Sequence, residues 1–217
     1  MKCKVCIQNR DAAIGLGAMI IFIAMVLVAG IAASVIIQTS SNLEMQVLRS
    51  GQETTTEVST GIRIEGVEGL HQSSKITKLA IELTTRAGSS DIDLNTTIIE
   101  ISDSSSKFIL KFGGSSQHCN SSDINGDILN NGKFGSSTTF GINVLHDADG
   151  SCTSSTPIIN FGDHVFLGIN TASVFSSSSG LNPRIDIFGL VISEDGAPGI
   201  IGFSTPAAYS SAIIELQ

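Results

Sequence analysis

The chain has 217 residues, with 12 Lys and Arg against 20 Asp and Glu and a formal net charge of -8. Its few cations are scattered, which excludes a nucleic-acid partner, because such a partner needs a concentrated basic face. Once a membrane-length helix is set aside, about one ordinary domain remains. A chain with no Trp, one Tyr and 22 Gly has the composition of a β-rich exterior domain rather than of a helical enzyme.

Residues 1–12, MKCKVCIQNRDA, form a polar basic leader carrying Lys2, Lys4 and Arg10. Cys3 and Cys6 have C-x-x-C spacing without the second half of a zinc site, so reduced thiols are expected. The uncharged run from Ala12 to Ile37 follows at once. Its roughly 26 residues make a helix of about 39 Å, more than the ~30 Å of hydrocarbon in a bilayer. That is about twice the apolar length of a cleaved secretory signal, so the segment is expected to be retained. The positive-inside bias then puts Met1 in the cytoplasm and residues 38 onward outside. Cleavage after the run, at Gly30-Ile31-Ala32 or Ala32-Ala33-Ser34, would instead release a soluble protein.

Helical spacing continues past Ile37: Leu43, Val47 and Leu48, then Val58 and Ile62, leave a narrow stripe on a polar helix. A helix continuous to about Gly61 would be about 70 Å long. Small residues recur four apart, Ala13 with Gly17, Ala29 with Ala33 and Gly30 with Ser34, and such pairs let helix backbones approach closely. A lone helix in lipid has no use for them. Gly15, Gly17, Phe22, Met25, Ala29, Gly30, Ala33 and Ser34 are therefore candidates for a helical assembly core. Identical subunits meeting head to tail through two surfaces build an open filament.

From about Ile76 the apolar period changes to two. Ile81 and Leu83 flank Glu82; Phe108, Leu110 and Phe112 alternate with Ile109 and Lys111; later runs include Phe140 to Val144, Val165 to Ile169, Ile185 to Ile192, Ile200 to Phe203 and Ala212 to Leu216. Short strands between Gly, Asn, Asp and Ser clusters predict an antiparallel sandwich or barrel of about eight strands over residues 62–217. The fold class is thus α+β, a long apolar helix of residues 13–61 and one β domain.

Several residues are candidates for chemistry. Asn95-Thr96-Thr97 and Asn120-Ser121-Ser122 are N-glycosylation sequons. Asp147-Ala148-Asp149-Gly150 can turn two carboxylates toward one Ca²⁺, although the third acidic position and the closing Glu of a full calcium loop are missing; a solvated Asp-Gly turn is the plainer reading. Cys119 and Cys152 would be the only cysteines in an oxidising compartment, which makes them the candidate disulfide. A zinc site built from them with His118 and His146 matches no usual spacing. His71 and His164 read as surface or edge-strand residues. No nucleophile elbow, phosphate-cradling loop or H-E-x-x-H is present, so neither an enzymatic function nor a required cofactor is expected.

The basic leader, Ala13-Ile14-Gly15-Leu16-Gly17, the stretch Ile20 to Ala29 and Ala32 to Ile37 together resemble the N-terminus of archaellins, the archaeal flagellins. Ile213-Ile214-Glu215-Leu216-Gln217 is similar to that family's last strand, and Gly162-Asp163 before an alternating strand fits its outer domain. The resemblance implies an immunoglobulin-like or barrel-like outer domain, glycosylation, and a membrane-held precursor whose leader a prepilin-type peptidase cuts between Ala12 and Ala13. Here Ala12 follows Asp11, where the family usually has Gly after Lys or Arg. Gly17 stands at the fifth mature position, where bacterial type IV pilins have Glu. The implied function is a filament subunit for swimming, exported by archaellum assembly machinery and turned by other proteins at its base. An archaeal pilin or adhesion subunit and a membrane-anchored binding module are the alternatives.

Overall fold

The computed structural model describes the backbone of residues 3–217 and the side chains of residues 13–217. The expectations for Lys2, Lys4, Cys3, Cys6, Arg10 and the Ala12 side of the cut concern groups outside the described residues. Two compact units are present, Met1–Glu53 and Thr54–Gln217.

Helix α1 runs Cys3–Ser59, beginning within the leader and ending two residues before the expected Gly61. The end is set by competition from the sheet. Thr60 N still donates to Thr56 O at 2.8 Å, but Thr60 O accepts from Ala197 N at 2.9 Å and Gly61 O from Arg86 N at 3.0 Å. Thr60 is buried, and its hydroxyl lies 2.8 Å from that of Ser90.

The second unit holds β1 (Ile62–Gln72), β2 (Lys75–Thr85), β3 (Ile92–Asp93), β4 (Ile98–Ser102), β5 (Lys107–Phe112), β6 (His118–Cys119), β7 (Thr139–His146), β8 (Ile158–Ile159), β9 (His164–Ile169), β10 (Asp186–Ile192), β11 (Gly199–Ser204) and β12 (Ile213–Glu215), with short helices α2 (Ser121–Ile124), α3 (Ile128–Asn131) and α4 (Thr171–Val174) in the connections. The main sheet runs β11-β10-β4-β5-β7-β9-β2-β1-β12, with β6 beside β7, while β3 and β8 pair separately. All pairings are antiparallel except β5 with β7 and β6 with β7. The expected long helix and antiparallel β domain are therefore present, and the sheet takes the barrel-like form. Its two ends meet: Gly202 N donates to Gln217 Oε1 at 2.8 Å and Gln217 Nε2 to Ile200 O at 3.3 Å.

The strand count exceeds eight because β3, β6, β8 and β12 have only two or three residues, too few to show an alternation. Where alternation is visible it holds. Ile81 and Leu83 of β2, Leu110 of β5, Phe140 and Ile142 of β7, Val165 and Leu167 of β9 and Ile201 of β11 fill one continuous apolar core. A second, smaller cluster lies on the outer side of β2 and β9, where Leu129, Ile128 and Phe134 cover Leu70, Ala80 and Phe166.

Candidate assembly helix and metal-binding loop

On α1 the consecutive residues Met19, Ile20, Ile21 and Phe22 are all about two-thirds exposed. They cover the whole circumference of the helix, which requires lipid or other helices on every side. The span Ala13–Ser59 has a mean hydropathy of 3.0 over its most apolar window, and none of that window is buried within the chain. Met25 is exposed like its neighbours. A Cβ placed on Gly15, Gly17 or Gly30 would meet nothing within 4 Å. Each Gly lowers helix stability by about 1 kcal/mol relative to Ala, and no contact among the described residues explains that cost. Ala13, Ala29, Ala33 and Ser34 lie on the same exposed helix; close approach by a second helix is the remaining use for the small residues.

The acidic turn is more elaborate than its sequence suggests. Asp147 Oδ1 accepts from Gly150 N at 2.8 Å and Oδ2 from Cys152 N at 3.0 Å. Asp149 Oδ1 accepts from Ser151 N at 3.0 Å, and Oδ2 accepts from Asn160 Nδ2 at 2.5 Å. These hydrogen bonds, Asn160 first, hold the Asp149 carboxyl below the usual carboxylate range. Asp163, at the entry to β9, joins them, and one carboxylate oxygen from each of Asp147, Asp149 and Asp163 lies within 4.8 Å of the others. Asp163 is buried; its Oδ2 accepts from Asn160 N at 2.9 Å, while its Oδ1 has no hydrogen-bond partner.

A buried carboxylate oxygen without a donor is expensive, and a cation held with Asp147 and Asp149 is one group that satisfies it. Three carboxylates are hard oxygen donors suited to Ca²⁺. The residues present therefore fit the ion. Asp163 stands fourteen residues beyond Asp149, and only the return of the chain through β8 brings it in. Its sole sequence signal was the Gly162-Asp163 turn before an alternating strand.

The expected Cys119–Cys152 disulfide is absent. Both residues are buried free thiols. His118 is extended, with φ -106° and ψ 139°, so His118 and Cys119 point to opposite faces of β6. His118 Nε2 lies 3.8 Å from Cys152 Sγ, which turns Cys119 away from Cys152. Burial pushes the Cys152 thiol up to about 12, with Asp147 and Asp163 adding to it. Burial also raises Cys119 and lowers His118. Burial thus favours the uncharged form of all three groups. His146 is exposed at the end of β7.

Both sequon asparagines are exposed. Asn120 precedes α2 without using its side chain as a cap. Asn95 sits in the turn between β3 and β4, where its N–H is received by Asp93 Oδ1 at 2.8 Å. Its partner Thr97 is buried and donates to Asp93 O at 3.2 Å. A transferase needing that hydroxyl would have to act before the turn forms.

Comparison with known proteins gives one consistent result. Residues 12–203 match the family model for archaeal-type flagellin. Flagellin B2 of Methanocaldococcus jannaschii is 44% identical over 220 residues, covering 97% of each chain. Flagellin B1 of Methanococcus voltae is 37% identical and covers all of both. Among solved structures, the crystal structure of archaeal flagellin FlaB1 from M. jannaschii superposes with a TM-score of 0.64 at 30% identity, covering 73% of this chain and 97% of that one. The archaeal flagellum of Methanospirillum hungatei strain JF1 shares the fold, with a TM-score of 0.64 at 14% identity over 92% of this chain and 98% of its own.

Proposed function

Because the chain belongs to the archaeal-type flagellin family, it is a subunit of an archaeal flagellar filament, and we propose that it is built in through its apolar helix after loss of residues 1–12. One observation carries this reading: a helix apolar on every face, its most apolar window unburied among the described residues, leads into a domain that already has a core of its own. Before assembly lipid covers the helix; after assembly other copies do. Loss of the leader removes Lys2, Lys4 and Arg10, the charges that hold the helix start at the cytoplasmic face, and leaves Ala13 first. The β domains then form the outer sheath of an extracellular filament used for swimming. The role is mechanical, with torque supplied from outside the subunit. Export and cleavage require a prepilin-type peptidase and an assembly machinery.

Within the β domain, Asp147, Asp149 and Asp163 are assigned to a calcium ion, which would supply charge neutralisation and tie β7 to the entry of β9. Asn120 and Asn95 are assigned to glycans.

N-terminal sequencing and negative-stain microscopy of material sheared from cells test the filament reading. A start at Ala13 in filaments is expected. A start near residue 34 in soluble protein, or an intact Met1 confined to membranes, would overturn it.

A further inference from the structure

The outward face of β4, β5, β10 and β11 departs from the usual pattern of a sheet exposed on one side. Such a face should carry polar side chains, yet Ile98, Ile109, Phe188, Ile192 and Ile200 are all exposed there. Strand register makes them one patch. Ile200 lies opposite Leu190, Leu190 opposite Glu100, and Glu100 opposite Ile109; Ile192 faces Ile98, and Phe188 faces Gly202 and Ser102. Gly202 has open space where a Cβ would stand. The result is a groove of about 250 Å³ lined chiefly by Phe188, Leu190 and Ile200, with Glu100 and Lys107 paired at its edge.

The other half of the same sheet shows what this chain does with outward apolar residues: it covers them. The 128–134 segment lies over Leu70, Ala80 and Phe166, held by Asn143 Nδ2 donating to Lys133 O at 2.9 Å and by Lys78 Nζ donating to Leu129 O at 2.7 Å. Among the described residues no such segment covers the β4, β5, β10, β11 half. A contiguous apolar face of this kind marks an interaction surface.

A matching projection exists elsewhere on the domain. Phe161 is 77% exposed, the most exposed aromatic side chain outside α1. It sits on a turn closed twice, by Asp163 N donating to Asn160 O at 3.2 Å and Asn160 N donating to Asp163 Oδ2 at 2.9 Å. Gly162 supplies the φ of +97° that the turn needs, and Thr85 Oγ1 anchors the turn by donating to Asn160 O at 3.0 Å. A rigid aromatic ring with no role in its own core has the character of an interface anchor. A difference in sign remains once local pairing is counted: Asp147, Asp149 and Asp163 keep a negative charge even around a divalent ion, whereas Lys111 projects from β5 beside the groove and Lys107 is taken up by Glu100.

We propose that the groove between β4, β5, β10 and β11 receives the Phe161 turn of a neighbouring copy in the filament. Projection and groove occupy different surfaces of one domain, so the contact is head to tail, the kind that can propagate along a filament. The inference rests on the filament reading and adds to it a specific contact between outer domains.

Single exposed-site cysteines test it in sheared filaments, because Cys119 and Cys152 are buried. Ile200→Cys is expected to be inaccessible to a bulky polar maleimide in filaments and to react once detergent dissociates them. Combined with Phe161→Cys, it is expected to give a ladder of oxidant-dependent cross-linked oligomers that neither single variant gives. Equal labelling in both states would overturn the proposal, as would cross-linking by Ile200→Cys alone, which would mean that the face meets itself. Protection that disappears with Asn95→Gln would also overturn it, since a glycan would then be the cover. Intact filaments without a ladder remove this contact and leave the filament reading standing. Absence of filaments from the unaltered chain removes both.

Discussion

Asp163 concentrates the chemistry of the outer domain in one atom, a buried Oδ1 with no donor beside two further carboxylates. If calcium supplies what that oxygen lacks, ion at about 100 times its Kd contributes about 2.7 kcal/mol, worth roughly 5–10 °C in Tm for a domain of this size. A chelator should therefore lower the Tm of detergent-solubilised chain by that amount, and Asp163→Asn, which keeps an acceptor for Asn160 N, should melt low with or without chelator. Equal chelator sensitivity in the variant would disprove the assignment. Asp147 and Asp149 were visible in the sequence because their ligands sit two apart in one turn; Asp163 was hidden because strand pairing, not spacing, brings it close. Glu68 gives a second test. Partial burial, then Glu82, then Glu215 push its carboxyl above the ordinary 4.5. The folded chain thus holds this proton more tightly than the unfolded chain, so the contribution to stability is full below 4.5 and is lost as pH rises through the raised value. Glu68→Gln should raise Tm at neutral pH by an amount worth less than about 1 kcal/mol, solvent screening being considerable, and should change nothing in acid. A melt series over pH checks the sign.

At the scale of the element, α1 was legible because its run from Ala12 to Ile37 breaks no rule of its class: uncharged, continuous and longer than a bilayer is thick. Strands β2 and β5 were legible through alternation about Glu82 and Lys111, whereas β3, β6 and β8 exist only as answers to partners and carry no local signal. The missing disulfide has the same origin. Its geometry depends on which face of β6 each residue takes, and His118 already occupies the side toward Cys152. For the helix the prediction concerns Gly30, whose absent Cβ faces open space. Gly30→Ala should make the helix in detergent about 1 kcal/mol more stable, while Gly30→Leu should leave the monomer folded and abolish filaments. Circular dichroism and microscopy together separate the two effects; abundant filaments from Gly30→Leu would show that no backbone approaches there. The junction that follows the helix is sensitive for a different reason. Gly196 has φ +88°, and a Cβ on it would lie 2.2 Å from Thr60 O. Gly196→Ala should therefore cost about 1–3 kcal/mol, read as a lower denaturant midpoint, and should also disturb the hydrogen bond by which Ala197 N stops the helix at Ser59.

For the whole molecule, charge opposes assembly while apolar surface drives it. The chain carries a formal -8, and its leader holds Lys2, Lys4 and Arg10 against Asp11, a net of +2, so the proposed cleavage would leave the assembling subunit at -10. Packing many such subunits side by side brings like charges within a few ångströms to tens of ångströms. Screening matters on that scale, because the Debye length falls from about 30 Å at 0.01 M salt to about 8 Å at 0.15 M. The helix core is apolar and indifferent to salt, so the salt response of a filament reports on its sheath. Filaments should accordingly dissociate at a lower temperature in 0.01 M than in 0.15 M NaCl, by about the same interval in the unaltered chain and in Asp163→Asn. Calcium should add a separate increment, returning two charges per subunit to the sheath, in the unaltered chain and not in the variant. Dissociation followed by light scattering across the two salts, with and without chelator, distinguishes the terms. A filament indifferent to ionic strength would mean that the outer domains do not come close enough to repel, and the helices alone would then hold the assembly together.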